Sequence, residues 1–112
     1  MVKYNKYRNI KTVVDGIKFE SKAEADYYGL LKILKKHGEV ESFEMQVEYV
    51  LTAGIKYRLD FLVKYTDGHT EYIDIKGVKT DVFKLKARLM KHDHGITIVC
   101  LKRLSAFAFK NV

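Results

Sequence analysis

The chain has no proline and a single cysteine in 112 residues. One thiol offers no intramolecular disulfide, so covalent staples are excluded as the source of stability. No apolar run approaches the roughly 20 residues that cross a bilayer, which excludes a membrane-spanning helix. Met1-Val2-Lys3-Tyr4-Asn5-Lys6 lacks the apolar stretch of a secretory leader. Together these absences predict a cytosolic protein. No repeat, low-complexity tract or linker divides the chain, so we expect one domain over residues 1–112, large enough for a single core but not two. Acidic residues are scarce relative to basic ones, 14 against 21, and the formal net charge is +7. That balance favours an anionic partner, nucleic acid first. The plainer reading is a basic soluble domain.

What is present centres on two strands. Ile55, Tyr57, Leu59, Phe61, Val63 and Tyr65 alternate with more polar residues, the period of a half-buried strand. Thr66-Asp67-Gly68 then supplies a hairpin turn, with glycine free to take positive φ. A second strand over residues 70–76 stops at Gly77. Asp74 and Lys76 are two apart, so they project from one face of it. Antiparallel pairing brings Asp60 near Asp74. Two carboxylates and an ammonium then share one patch, which suits Mg²⁺ with its hard oxygen ligands and retained waters. The plain alternative is a solvated polar strand face.

The rest of the chain frames this pair. Residues 1–12 form a basic, tyrosine-containing arm with Lys3, Lys6, Arg8 and Lys11, either a phosphate-seeking arm or a solubilising terminus. Val13-Val14-Asp15-Gly16-Ile17 is a strong hairpin signal. Ser21 N-caps a helix whose apolar face is Ala23, Tyr27, Leu30, Leu31 and Leu34, closed by Gly38. Glu24, three residues after the cap, reads as the second half of a capping box. Phe43, Met45, Val47, Tyr49 and Leu51 predict a strand with Glu44, Gln46 and Glu48 on its other face. A second helix over residues 80–92 starts at Thr80. Val82, Leu85 and Leu89 face its core, with Phe83 and Met90 as further candidates. Lys79, Lys84, Lys86, Arg88 and Lys91 make the remainder basic. His92-Asp93-His94-Gly95 reads as a helix end and turn, because no other His/Cys cluster completes a zinc site. Ile96-Thr97-Ile98-Val99-Cys100-Leu101 is a continuous apolar strand with Cys100 in the core. Residues 105–112 are either a short last element or an apolar tail for a second subunit.

Leu59-Asp60 followed by Asp74-Ile75-Lys76 resembles the PD-(D/E)XK nuclease superfamily. The usual proline before the first Asp is absent, and Asp74 stands where Glu is commoner. The Ser21-Lys22-Ala23-Glu24 helix opening also resembles several branches of that superfamily. With Val14-Asp15-Gly16, Phe19-Glu20-Ser21-Lys22-Ala23-Glu24-Ala25-Asp26-Tyr27-Tyr28, Asp74-Ile75-Lys76-Gly77 and Val82-Phe83-Lys84-Leu85-Lys86, the chain looks like small phage and prophage members of it, from about residue 12 to residue 101.

The resemblance implies an α/β fold with a restriction-endonuclease-like core, a mixed β-sheet with flanking helices in the order ββαβββαβ. It implies a Mg²⁺-dependent endonuclease (Mn²⁺ able to substitute) in which Glu24, Asp60, Asp74 and the carbonyl of Ile75 are metal ligands. Lys76 would position water and stabilise the transition state, and Gln46 would be accessory. The expected DNA contacts are Lys3, Lys6, Arg8, Lys11, Lys22, Lys79, Lys84, Lys86 and Arg88. The expected substrate is branched DNA, cut by a homodimer as Holliday-junction resolvases do. The expected setting is a bacterial host cytoplasm, with the gene carried by a phage or prophage. Nicking or end-processing nucleases remain alternatives. So does a non-catalytic nucleic-acid-binding module with Tyr65 and Tyr72 as stacking platforms.

Overall fold

The structure, a computed structural model, describes residues 10–112. Lys3, Lys6 and Arg8 of the expected arm lie outside the described residues. The elements are β1 (Thr12–Val14), β2 (Ile17–Phe19), α1 (Lys22–Lys36), β3 (Val40–Val50), β4 (Lys56–Tyr65), β5 (Thr70–Ile75), α2 (Asp81–His94), β6 (Ile98–Ser105) and β7 (Ala108–Asn111). The expected mixed α/β order is present with one strand added. β7 comes from the segment left open between a short element and a tail. It pairs antiparallel with β6, and Phe109 meets Tyr27 of α1 edge-on at 5.0 Å.

Local rules account for most of the boundaries. Asp15 and Gly16 take φ of 54° and 75°, the pair of left-handed residues that a two-residue hairpin between β1 and β2 needs. The Asp15 carboxylate then accepts from Tyr28 Oη at 2.8 Å and pairs with Lys32, which ties this hairpin to α1. Ser21 Oγ accepts the Glu24 N–H at 3.1 Å, and Thr80 Oγ1 accepts the Phe83 N–H at 3.1 Å. Both caps satisfy donors that a helix start leaves free. At the far end of α2, the Asp93 carboxylate accepts the Thr52 N–H at 2.7 Å, and His94 Nε2 lies 3.0 Å from the Val50 carbonyl. The His-Asp-His stretch thus fastens the helix end to the β3–β4 turn.

The sheet order is β3-β4-β5-β6-β7, antiparallel throughout except for the parallel β5–β6 pair. This sheet divides the apolar interior into two layers, where one core was expected. Phe61, Val63, Ile73, Ile75 and Leu101 pack with Tyr27, Tyr28 and Leu31 of α1. Leu62 and Cys100, on the opposite face, pack with Phe83 and Met90 of α2. Phe61 is fully buried, with its ring 5.1 Å from Tyr27. Phe61→Ala is expected to cost about 3–5 kcal/mol of stability, measured by denaturant unfolding.

The inward face of α2 differs from expectation. Val82 and Leu85 are 63% and 48% exposed, while Phe83 and Met90 are buried and Ala87 and Leu89 partly so. Positions 82, 85, 89 and positions 83, 87, 90 are both helical stripes. The lie of the helix across β6 selects Phe83, Ala87 and Met90, with Leu89 at the margin.

One strand changes faces partway along. Tyr57 and Leu59 belong to the α2 layer, whereas Phe61 and Val63, of the same parity, belong to the α1 layer. No residue is inserted, because Met45↔Phe61 and Val47↔Leu59 keep one register. The ribbon instead rotates at Gln46 and Asp60, which lie opposite each other between those pairs. Gln46 takes φ of 56°, a costly conformation for a residue with a Cβ. The β3–β4 hairpin end thereby leaves the sheet plane and wraps under α2.

Candidate active site

That rotation exposes backbone groups which carboxylates then satisfy. The β4–β5 ladder runs from Lys64↔Thr70 to Phe61↔Ile73. Just beyond it, the Asp60 N–H donates to Asp74 Oδ1 at 3.0 Å and the Ile75 N–H donates to Asp60 Oδ2 at 2.9 Å. Two side chains thus replace a pair of ladder hydrogen bonds. The Tyr57 hydroxyl donates to Asp74 Oδ2. Asp74 is 1% exposed and Asp60 9%. The predicted meeting of Asp60 and Asp74 is therefore present, inside the protein rather than on a solvated strand face.

Glu24 approaches from the N-terminus of α1. It is buried, and its Oε2 has no hydrogen-bond partner among the described residues. The reciprocal half of a capping box is not formed: Ser21 caps Glu24, but no hydrogen bond from the Ser21 N–H to the Glu24 side chain is present among the described residues. A buried carboxylate oxygen without a donor costs on the order of 1–3 kcal/mol, so helix capping does not explain it.

Lys76 is half-buried, with Nζ 4.9 Å from the centre of the Phe83 ring. Burial raises the Glu24 pKa, Lys76 opposes that, and Glu20 and Asp74 add to it. Asp60 is pushed up to about 8, first by burial and then by the charges of Asp74 and Glu24, against the Ile75 N–H and Lys76. Burial also raises the Tyr57 hydroxyl, which the Asp74 charge reinforces, so Tyr57 stays a donor. The three acids and the lysine lie within one another's electrostatic reach.

Glu24 and Lys76 line a cleft of about 680 Å³, together with Glu20, Thr80, Lys102 and Arg103, while Asp60 and Asp74 lie behind its wall. The N-termini of both helices border it through Ser21 and Thr80. Helix N-termini and basic side chains favour an anion at the rim. The acids below repel one, unless a cation lies between.

The other expected residues are dispersed. Ile75 lines the cleft and is bound through its N–H to Asp60. Lys22 also lines it, paired with Asp26 at 3.5 Å. Lys79, Lys84 and Arg88 line a separate groove, and Lys86 lines neither cavity. Lys11 is exposed ahead of β1. Gln46 is exposed on β3 opposite Asp60, and no hydrogen bond links it to the acids among the described residues. Tyr65 and Tyr72 are not free platforms. They pack against the two apolar layers, and Tyr65 donates to Glu71 at 2.5 Å.

Three contributors escaped sequence reading. Tyr57 looked like one more member of an alternating stripe, its hydroxyl the only hint of a polar task. Lys102 and Arg103 come from β6. Arg103 Nε donates to Asp26 of α1 at 2.6 Å, across 77 positions of sequence. No local signal announces such a pair.

The donors suit a hard divalent cation. Carboxylate oxygens are the right chemistry, and the Glu24 Oε2, without a hydrogen-bond partner among the described residues, is a free lone-pair donor. No group of three His, Cys, Asp or Glu side chains forms a ready-made ligand set among the described residues. Both Asp74 oxygens already accept protein hydrogen bonds. Such a site would hold an ion through one or two carboxylates with waters completing the shell, the usual manner of Mg²⁺.

No curated protein and no solved structure is significantly similar to this chain. A family model described as "Protein of unknown function (DUF1064)" matches residues 4–99. That match spans both helices, β1 to β5 and the start of β6, and includes every acid of the cluster and Lys76. The chain therefore belongs to the DUF1064 family.

Proposed function

We propose that the chain is a metal-dependent DNA endonuclease of the PD-(D/E)XK kind, acting on branched DNA as a homodimer. One observation carries this reading: three buried acids are grouped, and one of them, Glu24 with its unpartnered oxygen, lines with Lys76 a cleft that Lys22, Lys102 and Arg103 also line. A protein that only binds nucleic acid gains nothing from acids at that place, because they repel phosphate.

In the mechanism, Mg²⁺ or Mn²⁺ would be held by one or two carboxylates of the Glu24, Asp60 and Asp74 group, with the Ile75 carbonyl and waters completing the shell. When bound, the ion polarises the phosphodiester and lowers the pKa of water. Lys76 holds the attacking water in line and offsets charge growing on the phosphate oxygens. Lys22, Lys102 and Arg103 hold flanking phosphates and orient the scissile bond. Tyr57 fixes the Asp74 carboxylate through its hydroxyl. The Phe83 ring supports the lysine ammonium through its π face, which limits where Nζ can reach.

The test is cleavage of a synthetic four-way junction against linear duplex, with Mg²⁺, Mn²⁺ or EDTA. Wild type is expected to nick the junction in paired positions near the crossover, with divalent metal only. Lys76→Ala should lower the cutting rate about 10²–10³-fold, the loss typical of one transition-state donor, while junction binding in EDTA persists. Equal cutting of duplex and junction would remove the branched-DNA assignment and leave a nicking or end-processing nuclease. Binding without cutting under every metal condition would make the chain a binding module instead.

A further inference from the structure

A second concavity, about 440 Å³, lies between α2 and β6 and is not used by the chemistry above. Lys79, Lys84 and Arg88 give it three cations, and Phe83, Ile98 and Cys100 give it an apolar lining. No Asp or Glu side chain lines it among the described residues. Lys79 Nζ also donates to the carbonyl of Val112, which lines the groove as well. Burial raises the Cys100 thiol pKa, so that wall stays neutral.

The groove and the cleft flank one short segment of chain. Residues 76–80 border both, with Lys76, Gly77, Val78 and Thr80 on the cleft and Lys79 on the groove. Phe83 lines the groove while its ring carries the Lys76 ammonium. A strand lying across this segment would place one phosphate in the cleft and its neighbouring nucleotide in the groove.

We infer that the groove takes an unpaired nucleotide of the strand being cut, its base on the apolar lining and its phosphate on Lys79, Lys84 and Arg88. The inference rests on the reading of the cleft as a nucleic-acid site. A base offers an apolar face and its phosphate a negative charge, which match the two kinds of lining present. Paired bases in a duplex keep those faces stacked away. The substrate class is therefore DNA with unstacked nucleotides beside the cut, as at branch points and single-stranded segments. A second copy of the chain does not suit the groove, because a two-fold contact here would set Lys79, Lys84 and Arg88 against their own equivalents.

The test uses the full chain in EDTA, where cutting plays no part. Anisotropy would compare an oligothymidylate with a duplex of equal length at one salt concentration. The expected result is tighter binding of the oligothymidylate. Ala87→Glu, which sets a carboxylate at the groove wall, should weaken oligothymidylate binding by about tenfold and duplex binding far less. The exposed pair Lys84→Ala and Arg88→Ala should do the same without touching the core. An oligothymidylate bearing 4-thiothymidine should cross-link on irradiation to the peptides carrying Phe83 or Cys100. Equal weakening of both ligands, or cross-links confined to other elements, would overturn the inference. So would polyglutamate that competes as well as the oligothymidylate. Groove cross-links in a protein that never cuts would support the nucleotide site while removing the nuclease. Metal-dependent cutting with no preference for unpaired DNA would overturn the nucleotide site alone.

Discussion

Asp74→Asn is expected to lower metal-dependent junction cutting by about 10³-fold or more, with the fold intact by circular dichroism. The magnitude follows from the several kcal/mol that an ion held on a carboxylate supplies, at about 1.4 kcal/mol per tenfold. The choice of asparagine matters. Asp74 accepts from both the Asp60 N–H and the Tyr57 hydroxyl, and it is almost wholly buried. Asparagine keeps the shape and one acceptor oxygen. Alanine leaves both donors buried and unpaired, at about 1–3 kcal/mol each. Asp74→Ala should therefore lose stability as well as cutting, and thermal unfolding separates the two variants. Retained cutting in Asp74→Asn would remove Asp74 from the metal site and leave it a structural clamp between β4 and β5.

The second large effect is on stability against pH, without any metal. The Asp60 pKa in the folded protein, about 8, lies above the ordinary carboxylate value of 3.8. The folded state thus holds a proton that the unfolded chain releases in this range. Stability from that source is fully present below about pH 4 and is lost as pH rises toward about 8. Glu24 is raised as well and acts in the same direction. Asp60→Asn mimics the protonated acid, so at pH 8 it should melt at a higher temperature than wild type, with the difference shrinking toward pH 4. Mg²⁺ should raise the wild-type melting temperature more at pH 8 than at pH 6, because ion and proton compete for the same oxygens. Asp60→Asn should lose most of that rise. A difference between variant and wild type that is flat in pH would mean Asp60 is ionised in the folded protein, and would sink the picture of acids crowded for a cation.

Much of the framework was legible in the sequence because it rests on near neighbours. Asp15-Gly16 makes a hairpin because both residues tolerate positive φ. Ser21 and Thr80 cap because their hydroxyls reach an N–H three residues on. The alternation of β4 and the turn at Thr66-Asp67-Gly68 set the register that brings Asp60 to Asp74. Each of these is decided over a few residues, and hydrogen bonds and periodicity at that range are properties of the local chain.

What only the tertiary structure decided is how those pieces meet. Two apolar stripes of α2 satisfy the same helical period, and packing against β6 chose Phe83 and Met90 over Val82 and Leu85. The rotation at Gln46 and Asp60 leaves the register intact, so no pattern of apolar residues betrays it, yet it turns Tyr57 inward onto Asp74. Arg103 comes to the cleft held by an acid of α1, a pairing set by where β6 lies beside β5. The burial of Glu24, and hence its unpartnered oxygen, depends on the whole cluster closing around the start of α1. A capping motif is a local bargain between a side chain and its own helix. Whether the glutamate keeps it depends on the charges and the dryness that distant strands bring to it.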